Sequence, residues 1–376
     1  MTCEETAMRR FGAEIQRLIG RGDLSRQRTY ELFCEVLRGE QPDLQQGAFL
    51  AALVAKGETP QEIAGAWQAI VEVDTVSAAV DLSVPLVENS GTGMDELKTF
   101  NVSSAAALIA AAQGVRIARH GARALTSRCG AVDILEAVGV DVECDAAAVK
   151  RSIEQTGIGI FNGMSPAVHP GGLGRILSQI RFGSTLNIAA SLANPARPTH
   201  GVRGVYADRL VGPVGEVMAE IGYQRALVVH GFDAEQQRGM DELSVLGPSR
   251  VVEIGAGGRR DVYTVEPEDV GLRRLRHEDI APLDDLHDES RRFVRVLAGR
   301  GHGACVDAAC YNAAAVLYVA GVVDDLAAGV ERSRATVENG AALAKLRQWV
   351  AVQSAGDSGA GERRLEEVLA GAGLAA

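Results

Sequence analysis

Gly91-Thr92-Gly93-Met94-Asp95-Glu96-Leu97-Lys98-Thr99-Phe100-Asn101-Val102-Ser103-Ser104 joins a short β-like run at residues 86–87 to an apolar helical pattern at 104–113. Glycine at 91 and 93 lets the backbone approach a bulky anion and adopt positive φ. The N–H groups around such a turn form an anion nest. Asn101, Ser103 and Ser104 open the helix, so its dipole points at whatever they bind. A strand, a polar glycine turn and a helix in this order read as one unit of an α/β sheet.

The pattern repeats on either side. Further β-like runs lie at 115–118, 159–161, 202–206 and 226–229, and helical stretches at 131–138, 146–156 and 210–221 follow most of them. Runs at 249–254 and 261–266 read as later strands, and 307–348 returns to alanine-rich helix. This alternation predicts a mostly parallel central sheet covered by helices. Residues 1–78 read as a separate all-helical domain. Phe11, Ile15, Leu18 and Ile19 share one helical face, and Leu32, Phe33, Val36 and Leu37 another. Thr59-Pro60-Gln61-Glu62 starts a fourth helix, with Thr59 capping, Pro60 in the first turn and Glu62 closing a capping box. A helix around 169–182 is expected to complete this domain, 79–350 to form the α/β domain, and 351–376 to be a flexible tail that contains the Gly/Ser-rich linker at 354–362 and ends in at most a short helix.

Composition narrows the function. The 376 residues carry a net charge of −11 and only 4% aromatics. Neither suits a phosphate-backbone binder or a base-stacking platform, so no nucleic-acid partner is expected. The six cysteines show no zinc or redox spacing and read as free thiols in a reducing compartment. No signal-like segment opens the chain, and the apolar stretch near 313–323 is too short for a bilayer. A soluble, cytoplasmic protein without a membrane partner is expected. A small polyphosphate remains possible, because helix N-termini and a divalent cation supply local positive charge. Asp241-Glu242, two adjacent hard-oxygen ligands after the run at 226–231, suit Mg²⁺.

Together these segments resemble the anthranilate phosphoribosyltransferase family, over residues 10–350. The matching stretches are Ala-Leu-Val-Ala-Lys-Gly-Glu-Thr-Pro at 52–60, the turn at 91–104, residues 119–139, His169-Pro170, Asn194-Pro195-Ala196, the Leu-Val-Val-His-Gly at 227–231 and Gly239-Met240-Asp241-Glu242. The resemblance implies a small helical domain beside a large α/β domain of the nucleoside phosphorylase/phosphoribosyltransferase type. It implies an active site between them and a homodimer built through the helical domain. The reaction would displace pyrophosphate from 5-phosphoribosyl-1-diphosphate (PRPP) by an aromatic amine, with Mg²⁺. Carried over by position, Gly91, Thr92, Gly93, Asp95, Asn101, Ser103, Ser104, Arg119 and Ser127 would contact PRPP. Ser103, Asp241 and Glu242 would hold Mg²⁺. Arg119 stands where the family has Lys, which keeps the charge and changes its geometry.

The acceptor half departs from the family. Gly-Thr-Gly-Gly-Asp becomes Gly-Thr-Gly-Met-Asp at Met94. His-Gly-Asn-Arg becomes His120-Gly121-Ala122-Arg123, and Ser-Ala-Asp becomes Ala131-Val132-Asp133. The family's carboxylate-pairing Arg falls on Leu177, with Arg175 and Arg181 nearby as substitutes. An acceptor site of His120, Ala122, Leu177, Arg175 and Arg181 therefore predicts an aromatic or heteroaromatic acceptor other than standard anthranilate. Standard anthranilate transfer, as in tryptophan biosynthesis, is the first alternative. A nucleoside phosphorylase shares the architecture, but Glu88-Asn89-Ser90 precedes the turn in place of a Lys-x-Ser phosphate site. A non-catalytic nucleic-acid-binding relative conflicts with the negative charge and with Asp241-Glu242.

Overall fold

The computed structural model describes residues 3–80, 83–93, 95–123, 129–180, 182–356 and 358–374. Four helices come first: α1 (Cys3–Ile19), α2 (Arg26–Leu37), α3 (Asp43–Lys56) and α4 (Pro60–Val73). The capping box at α4 forms as its sequence dictates. Thr59 Oγ1 accepts from Glu62 N (3.2 Å), and Glu62 Oε2 accepts from Thr59 N (2.8 Å). Glu62 is fully buried, and it also takes Lys56 Nζ at 2.9 Å and the Leu24 amide at 2.9 Å. One side chain thus ties three segments of the bundle together.

The central region then alternates strand and helix: β1 (Leu86–Ser90), α5 (Val102–Ala112), β2 (Arg116–Gly121), α6 (Ala131–Ala137), α7 (Ala146–Thr156), β3 (Ile158–Asn162), α8 (Gly172–Ile180), α9 (Thr185–Ser191), β4 (His200–Gly204), α10 (Val211–Glu220) and β5 (Arg225–Phe232). β6 (Gly239–Met240), β7 (Ser249–Ile254) and β8 (Arg260–Val265) follow, then α11 (Leu286–Leu297), α12 (Gly303–Val319), α13 (Leu326–Glu338), α14 (Ala341–Gln353) and α15 (Ala360–Gly371). The sheet runs β3-β2-β1-β4-β5-β7-β8. Its first five strands are parallel, while β7 and β8 are antiparallel additions and β6 pairs with β5.

The two sheet faces carry different cores. Val87, Val202, Leu227 and Val251 face the alanine-rich α5 and α12. Val228, Val252 and Ala226 face the other way, and their cluster continues through α10 and α9 into Phe11, Phe33 and Phe49 of the helical layer. Helix α8 joins that layer through Leu173 and Ile176, and Asp74 caps its start by accepting from the amides of Gly171 and, at 2.6 Å, Leu173.

One expectation needs correction. The C-terminal segment is a docked helix: Leu365, Val368 and Leu369 of α15 are buried in the main core. The Gly/Ser stretch is a tight connection to it, in which Ser354 Oγ donates to Gly139 O at 2.8 Å and accepts from Asp141 N at 2.8 Å. Residues 307–348 are helical as expected, in three helices parted at Gly321 and Gly340, both at positive φ. No helix among the described residues is long and apolar enough to cross a membrane. The five cysteines whose side chains are described are free.

Candidate active site

Alternate residues of a strand point to opposite faces, so the C-terminal edge of the parallel sheet presents two different sets of side chains. On the α5 side lie Asn89 of β1 and Arg119 of β2. Arg119 is buried, and burial lowers its pKa to about 10. It donates to Ser104 Oγ (2.5 Å), Ser103 Oγ (3.1 Å) and Asn89 O (3.3 Å), while Asn89 Nδ2 donates to Ser103 O (2.8 Å). The start of α5 is therefore wired to two neighbouring strands. Asn101, just before it, donates from Nδ2 to Cys129 O at 3.5 Å and Sγ at 3.4 Å.

The glycine turn after β1 meets the Asp241-Glu242 segment after β6. Gly93 N donates to Asp241 Oδ2 at 2.6 Å and Thr92 Oγ1 to the same oxygen at 3.4 Å. A Cβ at Gly91 would stand 2.3 Å from Asp241 Oδ2, and one at Gly204 only 1.6 Å from Asp241 O. Glycine at these two positions is what lets the acidic segment cross the strand ends. Asp95, Asp241 and Glu242 then bring carboxylate oxygens within 4.8 Å of one another, and all three are buried. Burial, then repulsion from Asp241, raises the pKa of Asp95 to about 7. The same two causes push Glu242 well above the carboxylate range. Partial compensation comes from Lys98, whose Nζ lies 3.1 Å from Asp95 Oδ1, and from Thr99, whose Oγ1 donates to Glu242 at 3.3 Å. Three buried carboxylates with one ammonium beside them are a hard-oxygen set suited to a divalent cation.

The other side of the strand ends is cationic and aromatic. His120 of β2 and His169 meet with their Nε2 atoms 3.2 Å apart. His169 Nδ1 faces the carbonyl of Asp74 at 2.8 Å, so it carries the proton there. Burial, then His169 and Arg203, pushes His120 down to about 3, so it is neutral at physiological pH. Arg203 of β4 donates to Ser90 Oγ (2.7 Å), Ser191 O (3.2 Å) and Ser191 Oγ. Beneath it, Glu88 accepts from Tyr223 OH (2.8 Å) and Asn194 Nδ2 (3.3 Å).

Gly91, Thr92, Gly93, Asp95, Ser103, Ser104, Arg119, Asp241 and Glu242 thus converge on one sheet edge. Asp95, expected to contact PRPP, falls inside the carboxylate cluster. Met94, Ser127 and Arg181 lie outside the described residues. Arg175, expected at the acceptor site, is engaged elsewhere: its guanidinium binds Asp43 (3.2 Å), Val36 O (3.1 Å) and Gln46 (3.1 Å). At about 100° per residue, position 175 of α8 faces α2 and α3. Leu177 packs, half-buried, against the helical-layer core, and Ala122 is half-buried beyond His120.

Several residues went unread in the sequence. Asn312 of α12 clamps the acidic segment, accepting from Leu243 N (2.9 Å) and donating to Leu243 O (3.0 Å). Its only signal is a polar residue inside an apolar helix. His277, half-buried, holds Lys98 O at 2.8 Å. Arg203 had a clearer signal, a charge within the run Gly-Val-Arg-Gly-Val at 201–205.

Residues 83–343 match the glycosyl transferase family α/β domain, and residues 14–73 match that family's helical bundle domain. The anthranilate phosphoribosyltransferase of Anaeromyxobacter sp. (strain Fw109-5) is 41% identical over 345 residues, 91% of this chain and 98% of that one. The chain belongs to the anthranilate phosphoribosyltransferase family. The Methanopyrus kandleri enzyme of that name is 39% identical, covering 90% of this chain and 99% of its own. The crystal structure of the Thermus thermophilus enzyme superposes with a TM-score of 0.81 at 33% identity, over 90% of this chain and 99% of that chain. These relatives of the anthranilate phosphoribosyltransferase family lend no support to the expectation of an acceptor other than anthranilate.

Proposed function

We propose that this chain transfers the phosphoribosyl group of PRPP to an aromatic amine of the aminobenzoate class, anthranilate first among them, with release of pyrophosphate. The observation that carries this reading is the pinning of Asp241 under the glycine turn: the Gly93 amide and the bare Cα of Gly91 let a carboxylate seat against the turn beside Asp95 and Glu242. The residues present fit Mg²⁺, with Asp95, Asp241 and Glu242 as the candidate ligands and Ser103 at the margin, its hydroxyl already bonded to Arg119. When bound there, Mg²⁺ would supply positive charge to the departing diphosphate. The N-terminus of α5 would hold the diphosphate in place. In the transfer, the bond from the anomeric carbon to the diphosphate oxygen breaks and a carbon–nitrogen bond forms. The amine then loses a proton to solvent. An aniline-type nitrogen is neutral and nucleophilic, so positioning does most of the work, and a neutral His120 suits a site that needs no strong base.

A second copy docking on the helical layer belongs to the same reading. Leu44 is 89% and Phe182 41% exposed beside a groove of about 380 Å³ that is lined also by Asp43, Gln46 and Ile176. Light scattering tests the dimer. Pyrophosphate release from PRPP and Mg²⁺, with and without anthranilate, tests the reaction. Anthranilate-dependent release supports the proposal, and release that is indifferent to every aryl amine refutes it.

A further inference from the structure

The strand ends hold two buried guanidinium groups and one buried carboxylate. Arg119 turns to the α5 side and Arg203 to the side of α9 and the helical layer, with Glu88 attracted to both. Glu88 is itself engaged by Tyr223 and Asn194. Arg203 makes no ion pair among the described residues. Its partners are two serine hydroxyls and a carbonyl, all neutral. Glu88 attracts Arg203 from beyond ion-pair distance and is shared with Arg119, so one carboxylate answers two buried guanidinium groups and a further anion is welcome.

The position of Arg203 says which anion. It is the penultimate residue of β4, opposite Ser90, the residue that precedes the glycine turn. The next residue, Gly204, abuts the Asp241 backbone. The guanidinium therefore lies at the carboxyl ends of parallel strands, where open α/β sheets receive ligands. It lies on the face opposite the wired start of α5, with His120 beside it. That face also lacks other cations among the described residues singled out above: Leu177 is apolar, and Arg175 is committed to α2 and α3.

We infer that Arg203, held by Ser90 and Ser191, is the residue that reads the carboxylate of an aromatic amino acid acceptor. The inference rests on the transferase reading for the identity of the acceptor. Arg203 is 3% exposed, so the contact is shielded from water and strong for its size.

Binding is measured on the full chain without PRPP, by the intrinsic fluorescence of anthranilate and of its neutral isostere anthranilamide. The wild type should prefer the acid by about tenfold or more, the value of a charged hydrogen bond. Arg203→Met should erase that preference by weakening the acid about tenfold and the amide less than about twofold. Arg203→Lys should restore part of it, since the charge returns without the fork. Thermal melts check that both variants fold. If Arg203→Met does not fold, the acid-over-amide ratio of wild type and Arg203→Lys decides. Equal binding of acid and amide by the wild type, or equal loss of both in the variants, overturns the assignment. So does a rise in the KM for PRPP with the anthranilate KM unmoved, which would give the arginine to the donor. An Arg203-dependent preference for the acid without pyrophosphate release would sink the transferase reading and leave the carboxylate subsite standing. Anthranilate-dependent release with an unchanged anthranilate KM in Arg203→Met would do the reverse.

Discussion

The two sides of one sheet edge differ in how they handle charge. At the glycine turn, three buried carboxylates crowd together with one lysine, and the Gly93 amide holds Asp241 in place. On the helical side, a buried arginine is held by neutral groups and a histidine pair is kept uncharged. Residue parity sends Arg119 and Arg203 to opposite faces of the strands, while the carboxylates come from the turn after β1 and the segment after β6. A parallel sheet can thus present an anionic, cation-seeking surface and a cationic, anion-seeking one on opposite sides of one edge. Backbone and helices between them keep the charges from simply cancelling.

The largest test of that contrast removes the carboxylates. Asp241→Asn with Glu242→Gln should lower pyrophosphate release by roughly a thousandfold, several kcal/mol of leaving-group stabilisation, and abolish any Mg²⁺-dependent rise in melting temperature. Retained turnover would mean that the cluster is structural. Gly91→Ala comes next. Its Cβ meets the Asp241 carboxylate at 2.3 Å, so the carboxylate must leave its place. We expect about a hundredfold loss in kcat/KM for PRPP and about 1–3 kcal/mol of destabilisation from overpacking. Wild-type kinetics would show that the carboxylate position is not critical.

Asn312→Leu probes the support from outside the site. It strips the clamp from Leu243 and should weaken Mg²⁺ about tenfold, as loss of supporting hydrogen bonds around a metal does, read from the Mg²⁺ dependence of melting or turnover. An unchanged Mg²⁺ affinity would assign Asn312 to stability alone.

The pH response follows from Asp95. Its pKa rises from the ordinary 3.8 to about 7 in the folded chain, so the folded state binds this proton more tightly than the unfolded one. Without metal, its contribution to stability is highest below about pH 4 and declines as pH rises through about 7. Added Mg²⁺ requires the ionised cluster, so its stabilising shift should grow over the same window. Melts from about pH 5 to about 8.5 with and without MgCl₂ check this, and a Mg²⁺ shift independent of pH would contradict it. The smallest effect is expected from Arg175→Ala. Its partners are Asp43, Gln46 and the Val36 carbonyl, so the anthranilate KM should move less than about twofold and stability by about 1 kcal/mol or less. A large rise in that KM would return Arg175 to the acceptor side.

Read alone, the sequence determined a great deal here. Hydrophobic period set the helices, the capping box at Thr59–Glu62 set the start of α4, and alternation of strand and helix set the parallel sheet. These are local signals, written within a few residues of one another. The glycine turn and the Asp-Glu pair were legible for the same reason: a nest and a metal ligand set are short. Only the tertiary structure decided which side chains face each other across the sheet edge. Asp95 joined the acidic cluster, Asn312 reached it from α12, and Arg203 emerged beside His120. Arg175 was withdrawn to α3 and the C-terminal segment docked as α15. Each of these depends on contacts between residues far apart in the chain. A strand residue's face is set by register, and register by the whole core.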